Sequence, residues 1–215
     1  MAKKKATVET KAPQTVLFLR TCKADMTAHN GFKWPESGIV HAPDWNDKPV
    51  CGYGLHGSLW GAGDSSHYST AADAKWLVCA VDFALCVDLG GKHKFPYCEV
   101  VFCGDMKGAA AVIQAHADCP RDAKVHGGTS TSGYGGTSTS GYGGTSTSGT
   151  RGTSTSGTRG TSTSGIDGAI SILFWDAEKS RYRRRVAEVD GVNILPNVPY
   201  ILNEKGEFIA KETTK

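Results

Sequence analysis

The hydrophobic pattern of this 215-residue chain divides it into three stretches. In the first, short apolar runs alternate with polar segments. Val16 to Leu19 is continuously apolar, and Trp76 to Phe83 and Tyr97 to Phe102 concentrate β-branched and aromatic residues, so each is predicted as a strand. Gly31 to Pro49, with three prolines and two tryptophans among polar residues, reads as loop with short extended pieces. Ala71 to Ala74 is predicted to begin a short helix. Asp105 to Ala117 sets Met106, Ala109, Ala110, Val112, Ile113 and Ala117 at helical spacing, which predicts one amphipathic helix.

The second stretch has no Leu, Ile, Val, Phe or Met between Val125 and Ile166. It consists of five tandem octapeptides from Gly128 to Asp167, each Gly-Thr-Ser-Thr-Ser-Gly followed by two variable residues. A unit of this kind cannot bury a face alone and gains stability by stacking on its copies. Thr-Ser-Thr-Ser alternates with period 2, so the threonines of a strand point to one side and the serines to the other. Gly-x-x-Gly is expected to supply the positive φ angles of a tight turn.

Two ordered arrangements fit. Two octads can form one flat coil of sixteen residues, with coils stacking about 4.8 Å apart as a thin two-sided β-solenoid. Alternatively the octads form a meander of short antiparallel strands. A lone meander sheet has nothing to pack against, so the solenoid or a stack of hairpins is preferred. Serine, being smaller, is the inward residue. That leaves Thr129, Thr131, Thr137, Thr139, Thr145, Thr147, Thr153, Thr155, Thr161 and Thr163 as outward rows, with Tyr134, Tyr142, Arg151 and Arg159 along the edge. Repeated tyrosines at a fixed turn position can stack along one edge. A Gly/Ser/Thr composition also suits a flexible linker. Against that, the frame runs on past the last copy, setting Ala169, Ile170, Ser171 and Ile172 where Thr, Ser, Thr and Ser stood.

In the third stretch the apolar pattern returns. Ile170 to Trp175 and Tyr182 to Val189 flank a polar loop and predict a hairpin, followed by Pro199 to Leu202, a turn at Asn203 to Gly206, and Phe208. Terminal strands of an array need covering, and this tail reads as that cap. The fold class expected is an α+β head followed by a short octapeptide-repeat β-solenoid or β-hairpin stack and a C-terminal β-hairpin cap, β-rich overall. The divisions are a basic flexible tail (1–14), the head (15–126), the array (127–168) and the cap (169–215).

Net charge is only +3, with basic residues concentrated at Lys3, Lys4, Lys5 and Lys11 and at Arg181, Arg183, Arg184 and Arg185. Such runs suit solvated faces and offer a polyanion, nucleic acid included, as a further partner class. The charged start lacks a following apolar run, so no signal peptide is read and no membrane partner is expected. Seven cysteines, an odd number without a Cys-x-x-Cys pair, argue for buried reduced thiols instead of a disulfide framework or a zinc ribbon. No metal site is expected.

One stretch of the head has the composition of a ligand loop. In Cys51-Gly52-Tyr53-Gly54-Leu55-His56-Gly57-Ser58, three glycines allow close backbone approach, and His56 can serve as base, ligand or hydrogen-bond anchor. Gly52, Gly54, His56 and Ser58 are the candidate ligand-binding residues. With no strand before it and no helix after it, the stretch is not a dinucleotide fingerprint.

Gly54-Leu55-His56, the Lys94-Phe95-Pro96-Tyr97-Cys98 run, the Ala-rich helix and the octapeptides together resemble an uncharacterised family of phage and prophage proteins. Its members carry similar octads and a segment similar to Asn197-Val198-Pro199-Tyr200, and the resemblance implies no activity. Gly52 to His56, Ser65 to Tyr68 and Leu77 to Val81 are also similar in order to ADP-ribosyltransferases. The catalytic His, Tyr and Glu of that family have no assignable counterparts, Glu99 being the one glutamate in the latter half of the head.

The leading expectation is therefore a non-enzymatic phage accessory or interaction protein, acting in host counter-defence or on the virion through a protein partner or a homo-oligomer. It would reside in the host cytoplasm or the virion and need no cofactor. One alternative is a head that binds a nucleotide or NAD. The other is recognition of a surface, ice among them, by the threonine rows.

Overall fold

The computed structural model describes residues 14–212. The lysine-rich segment expected as a flexible tail lies almost entirely outside the described residues. The first seven strands are β1 (Thr15–Cys22), β2 (Gly38–His41), β3 (Leu55–Leu59), β4 (Lys75–Asp82), β5 (Val87–Asp88), β6 (His93–Phe95) and β7 (Tyr97–Gly104). They form one antiparallel sheet in the order β2-β7-β4-β1-β3-β6-β5. The apolar run Val16–Leu19 is buried throughout because β1 is the central strand of the seven. Helix α1 (Met106–Gln114) begins at Asp105, whose Oδ1 accepts from Gly108 N at 2.7 Å, and lays Ala109, Ala110 and Ile113 into the core against β4 and β7.

Three local expectations are corrected here. Ala71 to Ala74 forms a turn, since four residues cannot offset the cost of nucleating a helix. The predicted helix ends at Gln114, short of Ala117. The Gly-rich stretch continues into strand β3, between β1 and β6. At Gly57 a Cβ would lie 2.9 Å from Phe18 Cβ, so glycine is what lets β3 approach β1. The seven cysteines are free, but only Cys22, Cys79 and Cys98 are buried; Cys51 is exposed and the others are half-buried.

Each Thr-Ser-Thr-Ser segment of the array is extended: β8 (Thr129–Ser132), β9 (Thr137–Thr139), β10 (Thr145–Ser148), β11 (Thr153–Ser156) and β12 (Thr161–Thr163), followed by β13 (Ala169–Asp176). Strands β8, β10 and β12 pair in parallel, and so do β9, β11 and β13. Pairing joins Ser130 to Ser146 and Ser146 to Ser162, a spacing of two octads, and the antiparallel meander does not form. The frame passes into β13, where Ala169, Ile170, Ser171 and Ile172 register with Thr153, Ser154, Thr155 and Ser156.

Serine fills the space between the two sheets. Ser146, Ser154, Ser156 and Ser162 are fully buried, and their hydroxyls are satisfied mostly by main-chain carbonyls. Ser154 Oγ donates to Ser146 O at 2.7 Å, Ser146 Oγ to Thr155 O at 2.6 Å and Ser162 Oγ to Ser171 O at 3.1 Å, each bond joining one sheet to the other. A core of hydroxyls bonded this way needs no apolar side chain until Ile170 and Ile172 enter it at the last coil. The invariant glycines serve close packing instead of turn angles: a Cβ on Gly157 would meet Gly141 C at 2.7 Å. The left-handed residue is the second variable one in every unit, Gly135, Gly143, Arg151, Arg159 and Asp167, with φ between 54° and 64°.

Both ends of the array are engaged. At the head side the Gln114 side-chain amide pairs with β8 as a peptide would, Nε2 donating to Thr129 O at 2.8 Å and Oε1 accepting from Thr129 N at 3.0 Å. At the other side β14 (Arg181–Glu188) pairs antiparallel with β13, while β15 (Tyr200–Leu202) joins β12 and pairs with β16 (Phe208–Ala210). Ile170, Val189, Ile194 and Tyr200 form a small apolar core beneath them. The arginine run is used internally. Arg183 contacts Asp176 at 3.0 Å, Arg184 donates to Ser171 Oγ at 2.9 Å and Arg185 Nε donates to Gly206 O at 2.9 Å.

Candidate functional site

Two regions carry the residues singled out in the sequence. The first is the pair of threonine faces. On the β8-β10-β12 side Thr129, Thr131, Thr145 and Thr147 are open or half-open, as are Thr137, Thr139, Thr153 and Thr155 on the β9-β11 side. Thr161 and Thr163 depart from the expected rows: they are buried, and Lys211 Nζ donates to Thr161 Oγ1 at 3.3 Å. Each face is thus a grid of two strands by two threonines, with spacings of about 6.7 Å along a strand and about 4.8 Å between strands. Every point offers one hydroxyl and one methyl on a rigid ladder.

The tyrosines do not stack with one another. Successive turns alternate between the two edges of the array, so Tyr134 and Tyr142 lie on opposite edges, and each meets an arginine of the next coil. Arg151 reaches Tyr134 Oη at 2.9 Å and Asp167 at 3.8 Å, and the Arg159 guanidinium is 5.8 Å from the Tyr142 ring. His126 precedes the array in the position of a turn tyrosine. It donates from Nδ1 to Gly61 O at 2.7 Å, and burial holds its pKa below the ordinary range.

The second region is a cleft of about 930 Å³ in the head. Gly52, Gly54, His56 and Ser58 all line it, brought together by β3 and the turn before it. His56 and Ser58 are two residues apart on β3 and share a face. Gly54 (φ +148°) packs on Trp45, where a Cβ would lie 3.0 Å from the ring. Sequence reasoning missed the cationic members. Arg20 lies 3.6 Å over the Trp34 ring and Lys92 Nζ is 3.3 Å from Cys51 Sγ. Lys94, opposite His56 across the β3–β6 ladder, is completely buried and donates to Val50 O and Gly52 O. The His56 Nε2 atom is buried without a partner. Burial first, then Lys92, Arg20 and Lys94, lower the His56 pKa to about 4, so the ring is neutral at pH 7. The alternation of strand β1, which sends Arg20 toward this side, was the available signal, but nothing in the sequence joins it to His56.

Among the described residues no group of three or more His, Cys, Asp or Glu side chains is placed to hold a metal ion, and no helix is long and apolar enough to cross a membrane.

Residues 16–114 match a domain of unknown function, DUF7666. The chain is 43% identical over 106 residues to an ice nucleation protein of Pseudomonas syringae, covering 48% of this chain and 9% of that protein. It is 44% identical over 105 residues to ice nucleation protein InaU of Pantoea ananas, 47% of this chain and 10% of that one. A third similarity, 40% over 105 residues, is to an ice nucleation protein of Xanthomonas campestris pv. translucens, 48% of this chain and 7% of that protein. The chain therefore spans a tenth or less of the length of these relatives. The aligned 106 residues are more than twice the length of the five octads, so the alignment runs beyond them. No solved structure matches the chain. An uncharacterised domain beside repeats agrees with the resemblance drawn from the sequence, whereas a phage origin gains no support.

Proposed function

We propose that the array is a short β-solenoid that recognises an ordered surface, ice in the first instance, through its threonine grids. The observation that carries this reading is the parallel register every sixteen residues, which seals serine inside and repeats Thr-x-Thr outside at fixed spacing. Similarity to proteins named for ice nucleation supports it, and favours this alternative over a phage accessory role. A hydroxyl and a methyl at each point can hold water at regular intervals while leaving little freedom to the side chain, since β-branched Thr is restricted at χ1. Because each face holds only two open coils, its hold on ice is weak in a single chain and grows with every coil added or every copy aligned beside it.

Droplet freezing and thermal hysteresis test the proposal on the full chain. Wild-type protein should raise the freezing temperature of supercooled droplets above buffer or shape ice crystals. The double variant Thr145→Lys with Thr147→Lys, and the corresponding pair at Thr153 and Thr155, should diminish that effect while circular dichroism and melting remain unchanged. Wild-type protein indistinguishable from buffer in both assays would sink the idea.

A further inference from the structure

Among the described residues, the head contains cations with no carboxylate within 4.0 Å. Arg20 lies flat over Trp34, and its two hydrogen bonds, to His56 O at 3.3 Å and Thr21 O at 3.4 Å, are long and reach only main-chain carbonyls. Its Nε is buried without a partner. Lys94, fully enclosed behind the cleft wall, donates to two carbonyls and lies 5.7 Å from the Trp45 ring centroid, with no carboxylate partner. Among the described residues no carboxylate lies within 4.0 Å of Arg20, Lys92 or Lys94. Asp44, exposed at the rim, is the one acid among the described residues on the wall of the cleft. Charge taken out of water without a partner opposes folding. Folding therefore retains, in one concave site, two unbalanced cations and an unpartnered imidazole nitrogen.

We propose that this cleft binds the phosphate group of a small phosphorylated metabolite, with Arg20 and Lys92 supplying charge and His56 Nε2 a hydrogen bond. Two positive charges match a dianionic phosphate better than a carboxylate, and guanidinium presents its N–H groups in a fork suited to phosphate oxygens. The cleft, at about 930 Å³, is larger than one phosphate needs and falls in the range of sites for whole small molecules. Phe32, Trp34 and Tyr53 on its wall give the remainder of such a molecule apolar and aromatic surface. The site is separate from the threonine grids and does not depend on the surface-recognition reading.

The proposal makes a pH prediction of definite sign. His56 is held neutral by burial and by Lys92, Arg20 and Lys94, opposed weakly by Asp44, while His29 and His67 face the same cleft. A bound dianion offsets those cations and raises the His56 pKa from about 4 toward its ordinary value. Binding then takes up a proton at His56, so its titration midpoint lies higher in the complex than in the free protein. The phosphate's own second ionisation, at about pH 6, falls in the same window, so the midpoint of His56, and not the affinity, carries the sign.

Calorimetric titration of the full-length protein with ADP, inorganic phosphate and acetate, alongside NMR titration of labelled histidines, tests this. ADP should bind saturably and more tightly than inorganic phosphate, acetate should not bind, and the His56 titration midpoint should move upward. Lys92→Gln, at the half-buried rim, should weaken ADP by about tenfold at unchanged melting temperature. Arg20→Gln should abolish binding; if it fails to fold, the Lys92 variant still decides. The proposal is overturned if ADP does not bind at millimolar concentration, if Lys92→Gln leaves binding intact, or if His56 keeps its midpoint. Equal affinity for inorganic phosphate would refute a metabolite site. Thr145→Lys with Thr147→Lys should leave ADP binding unchanged, which separates failure here from failure of the ice reading.

Discussion

Glycines that look identical in sequence carry different constraints, because the cost of a side chain depends on what lies on the neighbouring coil. At Gly149 an added Cβ would meet Gly133 C at 2.9 Å and Tyr134 N at 3.0 Å; at Gly133, the same octad position one coil earlier, it would meet nothing within 4 Å. Neither has a positive φ, so only packing distinguishes them. Gly149→Ala should destabilise by about 1–3 kcal/mol through overpacking, whereas Gly133→Ala should be neutral or stabilise by about 0.4–1 kcal/mol. Urea denaturation of the two variants checks the pair, and equal effects would contradict the stacked arrangement. The arginines of β14 teach a related point. Their clustering in the sequence suggests a polyanion, yet three of the four are committed to Asp176, Ser171 and Gly206.

At the scale of elements, period-2 alternation was sufficient to assign the array strands and which of their residues face inward. β3 was hidden because its glycines lower strand propensity, and the strand exists through its pairing with β1 and β6. The junction between head and array rests on a side chain that no pattern marks. Gln114 gives β8 the two bonds a neighbouring strand would have given Thr129. Gln114→Ala should cost about 1–2 kcal/mol, confined to the first coil. Hydrogen exchange should speed up at Thr129 to Ser132 and remain slow at Leu77 and Val78 in the head core. Gln114→Glu should act similarly, since a carboxylate cannot donate to Thr129 O. Unchanged exchange at β8 in both variants would remove the amide from its role as a cap.

For the whole molecule the governing length is sixteen residues, because one octad crosses to the opposite sheet and the next returns. Duplicating residues 137–152 inserts a complete coil, lengthens the array by about 4.8 Å, and adds one more coil-to-coil interface, so the melting temperature should hold or rise. Duplicating only 137–144 exchanges the two sheets for everything that follows. That carries Leu173 to the opposite edge from the groove it lines with Leu59, Trp60 and Ala62 of the head, whereas the full-coil insertion keeps it on the same edge, one coil farther along. Amide exchange at Leu59 to Ala62 should accelerate more after the half-coil insertion than after the full-coil one. The same result from both insertions would show that the period does not govern how head and cap are placed. Freezing assays on the full-coil series also enlarge the threonine grids without altering any existing residue.

The sequence by itself determined the octad frame, its continuation into Ala169 to Ile172, the inward serine and outward threonine, and the hairpins of the tail. These follow from local alternation and turn chemistry, which are written in consecutive residues. Only the tertiary structure decided that octads pair in parallel two units apart, that the tyrosines fall on opposite edges, and that Thr161 and Thr163 are covered. It alone brought Arg20, His56 and Lys92 to one cleft, with Arg20 separated from His56 by 36 positions. Such neighbours are set by strand order and by the burial of charge, and neither is encoded at any single position of the chain.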